Sequence, residues 1–195
     1  MRQSDSEPGG PPAFTMTVKQ FKELVELAGN LHTEAERCRD CGRWAAALFF
    51  LGGSAEAALL STAGVFEPDL RTAGLWNPPK GDPTKWTLGN LGNIARNAGW
   101  LPAQPPSAGQ EIPRQRPAQG GEEDIFTCLD GETGDALRFV ERLRNMIAHP
   151  GAYVREPLRP DTTNDENMRQ TYELMDGILA AVFVRLTTQM QTLPG

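Results

Sequence analysis

Apolar residues recur at helical spacing in five stretches of this chain, and no run of any length alternates like a half-buried strand. From about Val18 to about Asp40, the residues Phe21, Leu24, Val25, Ala28 and Leu31 fall at i, i+3 and i+4 and form one stripe. Thr17 followed by Gln20 supplies a capping box for its start. Gly42 separates this helix from a second, about Arg43 to Ala63, with Gly64 as its C-terminal stop. The second is apolar nearly all round (Trp44, Leu48, Phe49, Phe50, Leu51, Leu59, Leu60), which predicts the central helix of a bundle.

A third helix is predicted over about Thr87 to Ala98, with Leu88, Leu91, Ile94, Ala95 and Ala98 on one face and Gly99 as cap. Gly89 and Gly92 lower its intrinsic stability but let a neighbouring helix approach closely. The fourth runs from Gly134 or Asp135 to Ala148, with Leu137, Val140, Leu143, Met146 and Ile147 toward the core. Arg138, Glu141, Arg142 and Asn145 lie off that stripe. The last, about Asn164 to Met190, carries Tyr172, Met175, Ile178, Leu179, Val182 and Leu186 at helical spacing. The fold class expected is all-α, a bundle of about five main helices.

Proline and glycine punctuate the rest. Residues 1–14 read as a disordered tail, 66–83 as a connecting loop, and 102–123, dense in Pro, Gln and Gly, as a flexible insertion. An arm that tracks RNA is the other reading of that insertion, through Arg114 and Arg116. A single domain over 15–195 follows from a length of 195 residues. Trp86 and Trp100 bracket the third helix and read as packing anchors.

Composition narrows the chemistry. A net charge of -6 gives no basic field over the whole chain, so nucleic acid would need a local basic patch. Three cysteines, an odd number, make no disulfide framework and point to reduced thiols in the cytoplasm. Cys38 and Cys41 have CxxC spacing, but a zinc site needs four ligands and a redox motif needs a βαβ setting. They read as thiols at a helix–helix turn. Met1 to Pro12 has no apolar signal core, and Trp44 to Val65 is broken by Gly52, Gly53, Ser54 and Glu56, so no membrane span is expected. Gly89 to Gly92 lacks the preceding strand and the Gly-Lys-Ser/Thr of a phosphate loop.

The densest polar chemistry lies at the end of the fourth helix, in Arg142-Leu143-Arg144-Asn145-Met146-Ile147-Ala148-His149-Pro150. Asn145 and His149 are four residues apart and share a helix face, with Arg144 about 100° round the axis from Asn145. Pro150 disfavours helical geometry at His149, which ends the helix there or just before. A histidine at a helix C-terminus meets the negative end of the dipole, which favours its protonated form. A fixed cation, an amide and a titratable imidazole suit a phosphodiester. Arg138 and Arg142 add positive charge as candidate substrate contacts. Glu56, an acidic residue in an apolar helix, either pairs with Arg144 or Arg142 or reaches the rim. The second histidine, His32, falls beyond the first helix's stripe and reads as an ordinary surface histidine.

This stretch resembles the signature of the HEPN (higher eukaryotes and prokaryotes nucleotide-binding) superfamily, an arginine, usually followed by a polar residue, then a histidine after four to six intervening residues. Arg144, Asn145 and His149 supply the four-residue form. The resemblance extends more weakly to Leu48–Gly64, Trp86–Leu101 and the final helix. It implies an α-helical bundle, commonly a dimer, and for many members a ribonuclease that needs no metal or other cofactor. On that reading Arg144, Asn145 and His149 are catalytic, with Arg138, Arg142, Glu56 and Tyr153 as substrate contacts. Some HEPN toxins carry a tyrosine two residues beyond the histidine; that position is Gly151 here, and Tyr153 is the nearest tyrosine.

The partners implied are RNA, a second copy of the chain, and an antitoxin or defence-system protein that the tail or long loop could contact. A different class of function stays open. Many HEPN proteins keep the bundle as a dimerisation, nucleotide-binding or protein-binding module, and there Arg144, Asn145, His149 and Glu56 would form a buried structural network.

Overall fold

A computed structural model describes residues 16–101, 131–148 and 163–192. These residues form six α-helices and no strand: α1 Val18–Asp40, α2 Trp44–Val65, α3 Glu67–Thr72, α4 Leu88–Asn97, α5 Gly131–Ala148 and α6 Asp165–Thr192. The all-α class and the five long helices expected from periodicity are present. The predicted tail at 1–14 and insertion at 102–123 lie outside the described residues.

The ends of the helices follow local chemistry. At the start of α1 the Gln20 amide donates to Thr17 Oγ1 at 3.2 Å, and the Thr17 amide donates to Gln20 Oε1 at 2.9 Å. α4 repeats the device with Thr87 and Asn90, each backbone amide donating to the other's side chain at 3.3 Å. The chain leaves α1 and α4 through Gly42 and Gly99, both at a φ of 68°, where a side chain would be strained.

α2 lies at the centre, touching α1, α3, α4, α5 and α6. By length and composition it could cross a membrane, yet 61% of its most apolar window is buried inside the bundle. Small residues let neighbours close on it. Ser54 donates from Oγ to the Ala28 carbonyl of α1 at 2.8 Å, both residues being buried. A Cβ on Gly53 would stand 3.1 Å from Leu31 Cδ1, and one on Gly52 would stand 2.8 Å from Arg144 Cδ. At Gly52 an added methyl group would force α5 side chains to shift, so the close approach of α5 to α2 depends on this glycine.

Three expectations need correction. Gly64 does not end the second helix, which continues to Val65 and caps at Phe66. The missing Cβ at Gly64 instead makes room for Met16, whose sulfur would be 2.7 Å from it. Residues 66–83 are not all loop, because Glu67–Thr72 forms a helical turn and a half with Pro68 in the first turn, where proline costs no hydrogen bond. Glu67 is buried there and accepts from Arg71 at 2.7 and 2.8 Å. Finally, Ile147 lies within about 20° of Val140 around the axis, yet it is 48% exposed. It sits on the last described turn of α5.

His32 does more than face solvent. Its Nε2 stands 2.7 Å from Asp176 Oδ1, tying α1 to α6 through a half-buried pair. Cys38 and Cys41 are unbridged at the α1–α2 turn. Trp86 and Trp100 are both buried, against Trp76 and Phe66 respectively.

Candidate functional site

A cavity of about 260 Å³ opens where α2, α4 and α5 meet. Phe49 and Glu56 reach it from α2, Trp86, Thr87 and Leu88 from the start of α4, and Glu141, Arg144 and Asn145 from α5. Arg144 crosses α2 at Gly52, where its stem fills the space a side chain would take. Its Nη1 points at the Gly52 carbonyl at 3.4 Å and closes an ion pair with Glu56 one turn further along α2. Both partners stay partly open to solvent, 27% for Arg144 and 32% for Glu56. The guanidinium is therefore held in place without being sealed off.

Glu141 is the residue at this site that the sequence reading passed over. It is three residues before Arg144, so both lie on adjacent turns of one face of α5. Its carboxylate lies near Thr87 and Gly89, at the positive end of α4, while the Thr87 hydroxyl itself donates to Asn90 Oδ1 at 3.2 Å. Burial pushes its carboxyl up from the ordinary glutamate value, as does the nearby charge of Glu56; the neighbouring Thr87 hydroxyl, Arg144 and the Gly89 N–H pull the other way. Two signals in the chain could have found it, the i−3 spacing to Arg144 and the Thr-x-x-Asn cap that leaves first-turn donors facing α5.

Trp86 forms a fixed wall. Its ring meets Trp76 edge-on with centroids 5.0 Å apart, and its Nε1 donates to the Asn77 carbonyl at 3.3 Å. Phe49 is braced by Phe50 at 5.6 Å.

Of the residues expected at the site, the structure brings Arg144, Asn145 and Glu56 to one cavity, with Asn145 exposed at its edge. Arg142 is half-buried elsewhere on α5, since residues two apart point about 160° from each other. Arg144, and not Arg142, is thus the described partner of Glu56. α5 is described as far as Ala148, and the expected helix end at His149–Pro150 lies outside the described residues. His149 and Tyr153 lie outside the described residues, as does the side chain of Arg138. Among the described residues no group of three or more His, Cys, Asp or Glu is placed to hold a metal ion. Comparison of the chain with protein-family models, with curated proteins and with solved structures finds no match.

Proposed function

We propose that the chain is an endoribonuclease of the HEPN type, acting in the cytoplasm as a homodimer in which two copies of the motif face one RNA strand. The observation that supports this best is the mounting of Arg144. Its guanidinium is oriented by Glu56 and the Gly52 carbonyl yet keeps a solvent-facing edge beside Asn145. A phosphodiester seated there would place its non-bridging oxygens against a fixed cation, which stabilises the charge that builds on phosphorus in the transition state.

His149, four residues after Asn145, would take the proton of the ribose 2′-hydroxyl. The O2′–P bond then forms as the P–O5′ bond breaks, and a proton passes to the departing O5′, aided by the second histidine of the dimer. The products are a 2′,3′-cyclic phosphate and a 5′-hydroxyl. The resemblance gives no part to a metal. It also supports a toxin or antiviral-defence setting with a dedicated inhibitory partner.

One observation favours the alternative, a non-catalytic module. The described charges lining the cavity are two carboxylates, Glu56 and Glu141, against one guanidinium, a balance that repels phosphate. The deciding experiment incubates purified protein with mixed RNA and with DNA in EDTA, beside Arg144→Ala and His149→Ala. Cleavage of RNA alone, leaving cyclic phosphate ends and slowed about 10²-fold or more in each variant, supports the enzyme. Equal cleavage by wild type and both variants, or none by any, overturns it. Light scattering that finds a monomer removes the shared cleft.

A further inference from the structure

The α2–α4–α5 cavity has features that phosphate chemistry does not use. Two aromatic rings and Leu88 line it, together with the half-buried carboxylate of Glu141 near the first turn of α4. We propose that this cavity is a base-recognition site that takes a single guanine, read through Glu141, next to the phosphate position at Arg144.

Size comes first. At about 260 Å³ the space falls below the ~300–1,000 Å³ of pockets for drug-sized ligands, so it suits one base rather than a run of them. The walls suit a flat aromatic ligand. Trp86 is held by Trp76 and by the Asn77 carbonyl, and Phe49 by Phe50, so these surfaces exist before a ligand arrives. Single-stranded bases are commonly gripped on such side chains while their Watson–Crick edge is read by polar groups.

The edge reader selects the base. An ionised carboxylate only accepts, and its two oxygens offer about four acceptor positions. Among the four RNA bases, guanine alone presents two adjacent donors, N1–H and the 2-amino group, on its Watson–Crick edge. Adenine, cytosine and uracil each set an acceptor beside the donor, which a carboxylate repels. Partial burial removes some of the hydration of the Glu141 charge, and two donors from a ligand would replace it. Asn145, at the edge of the cavity, can then contact the ribose or the exposed base edge, with the phosphate beside Arg144.

Binding of the base rests on the cavity by itself; only its consequence, cleavage next to guanosine, rests on the ribonuclease reading. The test titrates wild-type protein with GMP, inosine monophosphate, AMP, CMP and UMP, following tryptophan fluorescence and calorimetry. GMP should bind about tenfold or more tightly than each of the others, the scale of a paired base contact. Inosine monophosphate lacks only the 2-amino group, so that comparison needs no variant. Glu141→Gln, checked for folding by circular dichroism, should erase the preference for GMP over inosine monophosphate. Equal affinity for all five, no binding of GMP up to about 10 mM, or a folded Glu141→Gln that keeps the preference overturns the proposal. GMP binding without RNA cleavage would uphold the base site and remove the ribonuclease. Cleavage without GMP binding would do the reverse.

Discussion

Arg144 of α5 and Glu56 of α2, 88 residues apart in the chain, form an ion pair that sets the geometry of the candidate site. Both are partly exposed, so the pair contributes about 1 kcal/mol or less to stability. Its larger effect is on direction. A long arginine free in solvent samples many rotamers, whereas this one is held by a carboxylate at its head and a glycine under its stem.

Glu56→Gln should therefore change activity more than stability. With the charge gone, cleavage of RNA by the folded variant should fall about tenfold, as the phosphate clamp loses its orientation, while urea unfolding moves by about 1 kcal/mol or less. Cleavage assays and denaturation on the same preparation decide it. A large loss of stability with unchanged cleavage would assign the pair to the fold alone.

Gly52→Ala tests the close approach of α5. The added methyl would stand 2.8 Å from Arg144 Cδ and would also meet the Val140 side chain. In a packed interface the expected cost is about 1–3 kcal/mol, partly offset because alanine favours helix over glycine. Denaturant titration should show a lower midpoint with an unchanged slope. An unaltered or raised midpoint would mean that α5 shifts freely on α2.

Glu141 carries a pH signature of known sign. Burial raises its carboxyl above the unfolded value, so the native state keeps this proton to higher pH than the unfolded chain. The group's contribution to stability falls as pH rises through the interval between the two values, and stays lower above it. Glu141→Gln removes that loss and keeps a side chain of the same shape beside Thr87 and Gly89. The variant should melt above wild type at neutral pH, and the gap should narrow as pH drops toward the ordinary glutamate value of 4.5. A variant that melts lower at neutral pH would show that the carboxylate's attraction to Arg144 and the start of α4 outweighs its desolvation.

The sequence by itself determined the helices of this protein, because their causes are local. The stripe of Tyr172, Met175, Ile178, Leu179, Val182 and Leu186 repeats with the turn of a helix, and all six are buried. Thr17 with Gln20, and Gly42 and Gly99 at their turns, act within a few residues of their own positions. The all-round apolar face of α2 likewise announced its central place. Tertiary structure alone decided what those helices bring together. Whether Gly64 stops a helix or admits Met16 depends on a segment 48 residues away. Whether Ile147 is covered depends on its surroundings in the bundle, since its angle on α5 is that of a core residue. His32 and Asp176 meet across 144 residues, and nothing near either one signals the other. The site divides along the same line. Arg144 and Asn145 were legible as a local motif, and Glu56 as a charge needing a partner. Glu141 became part of the site only when packing set it near the first turn of α4, because desolvation and the nearness of another helix's end are properties of the assembled bundle.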